Sequence, residues 1–221
     1  MTNLTLYGES NWVSPWVLHA MVALEEKQLP YELQLVPLPI PTGQRAEFED
    51  HAVLGRVPIL RHGDVWISES LAISEYLAET FPIPNHPRIF PADLVERARA
   101  RQVMSMLRTS LFALREARPT SSVFAVTKHN TTNNDATPLS PAASADAAEL
   151  IRVATRLVQP GAISMFAHWC IADIDLGLAL MRLVANNDSL PAPLATYARA
   201  QFARPSAQVY LRNVPDAASV G

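Results

Sequence analysis

In the first third of the chain, the apolar positions switch repeatedly between two periods. Leu4-Thr5-Leu6-Tyr7 alternates apolar and polar residues, the pattern of a strand. Trp16, Val17, Ala20, Met21, Ala23 and Leu24 then recur at helical spacing. Ser14 and Pro15 head that run. A hydroxyl N-cap followed by proline at the first helical position is a strong helix start, because the missing proline N–H has no intrahelical partner to lose. Lys27 closes the helix with a cation at its carbonyl end. A second strand is predicted over 31–36. Residues 37–43 hold three prolines and cannot form regular structure. A short helix follows over 44–51.

Residues 55–70 then carry several instructions in sequence. Val57-Pro58-Ile59-Leu60 reads as the entry to a third strand, His62-Gly63-Asp64 as a tight turn, and Val65-Trp66-Ile67 as the returning strand. Ser68, Glu69 and Ser70 precede a second helical run from Leu71 to about residue 80. Proline is tolerated at the first residue of a strand, or as a cis bond that exposes neighbouring backbone groups. Exposed backbone beside a helix N-terminus is a ready site for an anion.

Four prolines fall within residues 82–91, which read as a linker between domains at 1–81 and 92–221. Beyond it the pattern is helical throughout. One long helix is predicted over 92–118, then a polar, mobile surface loop over 128–144. Helices follow over 145–158, stopped by Pro160-Gly161, and over 171–184, which is strongly apolar. Short helices are expected over 193–203 and 206–213. Strand-helix-strand, strand-strand-helix and then helices alone define α/β plus all-α: a thioredoxin-like domain (βαβ-ββα) ahead of a helical bundle domain.

Composition narrows the classes of function. The 221 residues are 49% hydrophobic and 18% charged, ordinary for a soluble globular protein. A net charge of −3 and a pI near 6.1 argue against nucleic acid or an anionic membrane as the main partner. The single cysteine, Cys170, can build neither an intramolecular disulfide nor a cysteine-based metal site. The histidines are not at metal-ligand spacing, so no metal is expected. Residues 1–18 lack the pattern of a secretory signal, and no apolar run reaches the roughly 20 residues of a membrane span. The expectation is a cytoplasmic protein.

The layout and several short motifs resemble the glutathione S-transferase superfamily over nearly the whole chain. The carriers are Ser14-Pro15, Val57-Pro58, Glu69-Ser70 and Trp169-Cys170-Ile171-Ala172-Asp173. The stretch from Glu96 to Gln102, together with 169–173, looks most like the bacterial YfcF-like branch. The resemblance implies the GST fold, glutathione as cosubstrate and a homodimer. It also implies that Pro58 is cis, that the Val57 backbone pairs with the cysteinyl part of glutathione, and that Glu69 and Ser70 hold the γ-glutamyl group. One position departs from the family pattern. Cys170 stands where a Ser or Thr usually caps the helix, so Asp173 is expected to supply only half of a capping box.

The chemistry that this resemblance implies asks something definite of the residues. A thiol with pKa near 8.5 is only about 3% ionised at pH 7. Lowering that pKa by roughly two units takes about 2.7 kcal/mol of preferential thiolate stabilisation. A hydroxyl donor at the positive end of a helix is a suitable source, and Ser14 offers both. The plain alternative for Ser14 is N-capping alone. Tyr7 is the rival donor, but a strand residue packed under the first helix is the preferred reading of it. Trp16 either lines the thiol pocket or belongs to the core. Glu69 can accept the α-ammonium group and Ser70 can donate to the α-carboxylate. Arg56 either contacts a glutathione carboxylate or is solvated. The absence of a cysteine near Ser14 argues against thiol–disulfide exchange through an enzyme thiol.

These features predict a glutathione transferase whose partner substrate, a small hydrophobic electrophile or a peroxide, sits between the first helix and the helix from 92. The YfcF-like resemblance adds glutathione-dependent peroxidase activity. The competing readings are a non-catalytic binding module, or an isomerase or dehalogenase on the same scaffold.

Overall fold

Six consecutive buried residues form β1 (Leu4–Glu9), the strand on which the first unit is built. In the computed structural model, which describes residues 3–216, β1 runs parallel to β2 (Glu32–Val36) and antiparallel to β3 (Ile59–His62). β4 (Val65–Ser68) pairs antiparallel with β3, so the sheet order is β2-β1-β3-β4. Leu6 lies opposite Leu33 on one side and Leu60 on the other. Gly63, at φ 60°, supplies the left-handed turn between β3 and β4. β3 begins at Ile59, one residue after Pro58, which has no N–H to give the ladder.

Helices cover both faces of this sheet. α1 (Pro15–Glu26) packs where β1 presents Gly8: a Cβ there would lie 3.0 Å from Val17 Cγ1. α3 (Ser70–Thr80) lies beside α1. Successive strand residues alternate in direction, so Tyr7 points to the opposite face, where α2 (Thr42–Ala52) packs. There Tyr7, Val36, Phe48, Ala52 and Ile59 form a core. The Tyr7 ring stacks on Trp66 at 5.3 Å and meets Phe48 edge-on at 5.2 Å. Tyr7 is thus a packed strand residue, but not under the first helix: its neighbours are those of α2.

Lys27 does more than close α1. Its side chain is buried, and its ammonium donates to the carbonyls of Phe81 and Pro87. His86 Nδ1 lies 3.2 Å from the Lys27 carbonyl oxygen. The proline-rich segment expected as a linker is therefore fastened along residues 81–87 to the first unit, which extends to Ile89.

The second unit, from Phe90, is helical. Asp93 caps α4 (Leu94–Thr109), accepting from the amides of Val95 and Glu96 at 3.0 and 2.9 Å. The single long helix expected over 92–118 is in fact broken. Leu111 is left-handed at φ 59°, and α5 (Phe112–Ala117) restarts beyond it. No Gly or Pro marks the break. It is held by tertiary contacts: Leu111 is buried, and Asp146 accepts from the Leu114 amide at 3.1 Å. α6 (Thr120–Lys128) buries Val123 and Phe124, with Phe124 edge-on to Tyr210 at 5.1 Å.

α7 (Pro141–Leu157) is capped by Ser140, whose Oγ accepts from the Ala143 amide at 3.2 Å. The expected 128–144 loop shortens to 129–139, and it is tied down. Asn133 donates to the Ala185 carbonyl at 2.7 Å, and Arg118 donates to the Thr137 carbonyl at 2.8 Å. α8 (Ile171–Ala185) is buried along its whole length and packs against α9 (Ala192–Phe202). Gly177 permits that approach, because a Cβ there would lie 2.6 Å from Gln201 Cγ. α10 (Pro205–Leu211) follows. The charged residues of α8 are all engaged. Asp175 pairs with Arg108 at 2.6 Å, and Arg182 donates to the Arg118 carbonyl. Asp173 accepts from the amides of Met165 and Cys170, both at 2.8 Å, and from the Tyr197 hydroxyl at 2.7 Å.

Both arms of the α8 capping box are present, with the Cys170 side chain on the Asp173 backbone and the Asp173 side chain on the Cys170 backbone. Where half a box is expected from a cysteine cap, both arms are thus in place, with sulfur the weakly accepting one. Burial pushes the Cys170 thiol well above its ordinary range, with the Asp173 carboxylate adding to the effect, so the sulfur stays protonated and inert. Among the described residues, no helix is long and apolar enough to cross a membrane.

Candidate functional site

Ser14 occupies the N-cap of α1 with extended backbone, φ −82° and ψ 118°. Its Oγ accepts from the Val17 amide at 3.3 Å. A hydroxyl that accepts one hydrogen bond keeps its own proton to donate, and polarisation by the incoming bond strengthens that donation. Capping and donation to an anion therefore use different parts of the same group, and the plain and functional readings of Ser14 are compatible. Trp16, two residues on, is half-buried.

The loop leading to Ser14 reveals a residue that sequence reasoning passed over. Glu9, the last residue of β1, is 1% exposed, and its Oε1 accepts from the amides of both Val13 and Ser14 at 2.9 Å. Nothing in the sequence pattern marks it: the strand alternation ends at Tyr7, and Glu9 falls in the stretch before Ser14 that reads as a loop.

The second group of predicted residues gathers at the β3–β4 hairpin. The Val57–Pro58 peptide bond is cis. Pro58 is buried, and the half-buried Val57 side chain packs against the Tyr7–Phe48 core. Among the described residues, none hydrogen-bonds to the Val57 main chain. Arg56 and Glu69 form an ion pair at 2.8 Å.

Glu69 is the N-cap of α3, with φ 70° and ψ 118°. For a residue with a Cβ this conformation costs on the order of 1–3 kcal/mol, the kind of strain that collects at functional sites. Its carbonyl accepts from Ile73 at 2.9 Å, but its side chain makes no capping bond and instead reaches Arg56. Ser70 is buried at the first position of α3. Ser68 Oγ donates to the Ala52 carbonyl at 2.6 Å, bracing the hairpin from α2.

The structure thus brings Arg56, Val57, Glu69 and Ser70 together around one hairpin, while Ser14 belongs to the β1–α1 junction. Tyr7 is committed to its aromatic stack. His51 stacks on Trp66 at 5.2 Å, and His62 Nδ1 lies 2.8 Å from the Tyr76 hydroxyl. Among the described residues, no group of three or more His, Cys, Asp or Glu side chains is placed to hold a metal ion.

A thioredoxin-like unit with a cis-proline turn beside a strained helix start, followed by an all-helical unit, is the GST fold. Residues 13–80 match the glutathione S-transferase N-terminal domain, and residues 93–214 match the glutathione S-transferase C-terminal domain. The chain belongs to the glutathione S-transferase family. A glutathione transferase homologue from Burkholderia gl BGR1, crystallised with bound glutathione, is 33% identical, with a TM-score of 0.75 over 97% of this chain and 99% of that one. Glutathione S-transferase U13 of Arabidopsis thaliana is 37% identical over 91 residues, 41% of this chain and 39% of that protein. A probable maleylacetoacetate isomerase of Vibrio cholerae is 37% identical over 99 residues, 44% of each chain. The matches therefore span about two fifths of the length of these curated relatives.

Proposed function

We propose that this chain is a serine-type glutathione transferase that joins glutathione, through its thiolate, to a small hydrophobic electrophile. The observation that carries this reading is the Ser14 hydroxyl, which accepts from Val17 at 3.3 Å and so retains a proton to donate to a thiolate. Bound glutathione supplies the nucleophilic sulfur. Around it, the Val57 main chain would pair with the peptide backbone as an added strand would. The Glu69 carboxylate would take the α-ammonium group. Ser70, at the head of α3, would donate to the α-carboxylate, and Arg56 keeps the Glu69 side chain extended toward it. The Burkholderia homologue with bound glutathione supports this choice of ligand. A homodimer is proposed on the family resemblance.

Ultraviolet titration of enzyme-bound glutathione tests the reading. Wild type is expected to hold the thiol about two units below its free pKa, Ser14→Ala to raise it, and Tyr7→Phe to leave it unchanged. An unaltered thiol pKa in Ser14→Ala removes Ser14 from the chemistry. Failure of wild type to bind glutathione removes the transferase reading altogether.

A second reading has one specific support, the Vibrio cholerae relative named as a probable maleylacetoacetate isomerase. In it the same thiolate adds to a conjugated double bond and is later expelled, so glutathione is regenerated. Turnover without consumption of glutathione separates the two. Peroxidase activity would instead oxidise two glutathiones to the disulfide for each peroxide reduced to alcohol and water.

A further inference from the structure

The two serine-proline helix starts in this chain form an internal comparison. Ser140 caps α7 with a 3.2 Å bond from Ala143, and Ser14 caps α1 with a 3.3 Å bond from Val17. Pro follows each serine at the first helical position. Among the described residues, no carboxylate engages the Ser140 amide. The Ser14 amide is held by Glu9 at 2.9 Å. A capped serine-proline start therefore forms without such a carboxylate, and Glu9 serves something beyond capping.

Glu9 is also placed against expectation. It ends a strand whose six residues are all buried, where an apolar side chain would pack without a desolvation cost. The loop it spans, Ser10-Asn11-Trp12-Val13, has neither Gly nor Pro to preset its course. Trp12 is left-handed at φ 55° and buried, a conformation that something must impose. One Glu9 oxygen receives both the Val13 and Ser14 amides, which orients the two successive peptide planes that lead into the cap. With its amide held by Glu9 and its Oγ by Val17, Ser14 is left little freedom except at its hydroxyl proton.

We propose that Glu9 is a positioning residue for Ser14, gripping the Val13 and Ser14 amides so that the Ser14 hydroxyl is aimed at the glutathione sulfur. This rests on the serine reading above. The same titration tests it with added variants. Glu9→Ala is expected to raise the bound-thiol pKa by about one unit, which leaves about threefold less thiolate at pH 7. The glutathione Kd should stay within about twofold of wild type, because the peptide-holding residues lie at the hairpin. Glu9→Gln keeps an accepting oxygen of the same reach and is expected to restore the wild-type pKa.

An unchanged thiol pKa in folded Glu9→Ala overturns the proposal, as does a Glu9→Gln variant that behaves like Glu9→Ala. Should Glu9→Ala fail to fold, Glu9→Asp, one methylene shorter, carries the test with the same criterion. Ser14→Ala in the same series separates the two levels. A raised pKa there with an unchanged one in Glu9→Ala removes only the role of Glu9. No change in Ser14→Ala, or no glutathione binding by wild type, removes both.

Discussion

Arg56 and Glu69 meet at 2.8 Å across thirteen residues of chain, one at the entry to the cis-proline turn and the other at the head of α3. Their side chains are 69% and 48% exposed, so the pair stabilises the fold by at most about 1 kcal/mol. Under the proposed function, the pair would fix the position of the Glu69 carboxylate before glutathione arrives. Arg56→Ala is expected to change unfolding free energy by less than about 1 kcal/mol. It should raise the glutathione Kd by roughly three- to tenfold. Calorimetric titration beside urea denaturation checks both numbers, and a tighter Kd would mean that Arg56 competes with the ligand for Glu69.

Ser14→Asp separates the cap from the chemistry. Aspartate is as good an N-cap acceptor as serine, so stability should stay within about 0.5 kcal/mol. It has no proton to donate when ionised, and its charge opposes a nearby thiolate. The bound-thiol pKa is therefore expected to rise above that of Ser14→Ala, with little change in melting temperature. Equal pKa values in wild type and Ser14→Asp would count against any hydroxyl role.

Lys27→Met removes the donor shared by the Phe81 and Pro87 carbonyls. Leaving those acceptors without it should cost on the order of 2–3 kcal/mol. Hydrogen exchange should accelerate first across residues 81–87. The effect has a pH signature. Burial, and secondarily the Arg88 charge, hold the Lys27 pKa below 10.5 in the folded state, so folded protein releases this proton before unfolded chain does. Stability contributed by Lys27 therefore grows as pH rises through the lowered value toward 10.5. The gap between wild type and Lys27→Met should be wider near about pH 10 than near about pH 7.

Gly177→Ala sets helix propensity against packing. Alanine is the better helix former by about 1 kcal/mol. The added methyl would lie 2.6 Å from Gln201 Cγ and 2.7 Å from Gln201 Cβ, near the root of that side chain, where little can swing aside. Overpacking of this kind costs about 1–3 kcal/mol, so a net loss of roughly 1 kcal/mol is expected in denaturant unfolding.

What could be read in the sequence was local chemistry. Ser14-Pro15 announced α1 because a cap and a preset φ act within one turn, and Gly63 announced its turn for a similar reason. The same signal stood at Ser140-Pro141, yet the helix was expected only from residue 145. The break at Leu111 was illegible, since a left-handed leucine is imposed by burial and by Asp146 from a distant helix. α6 was passed over because its threonines, serines and valines have indifferent helix propensity; burial of Val123 and Phe124 decides it. The hairpin residues of the candidate site could be named in advance. Glu9 could not, because its partners are backbone amides in a loop whose path only the fold supplies.

The segment over residues 129–139 lacks regular structure, but it works as a fastener. Asn133 ties it to the end of α8, and Arg118 ties it to Asp188 as well as to Thr137. For anyone engineering this chain, this irregular stretch of the second unit is consequently a poor place for a tag, an inserted peptide or a new chain terminus. An insertion there would part α6 from the C-terminal end of α8 and leave a buried guanidinium to find new acceptors.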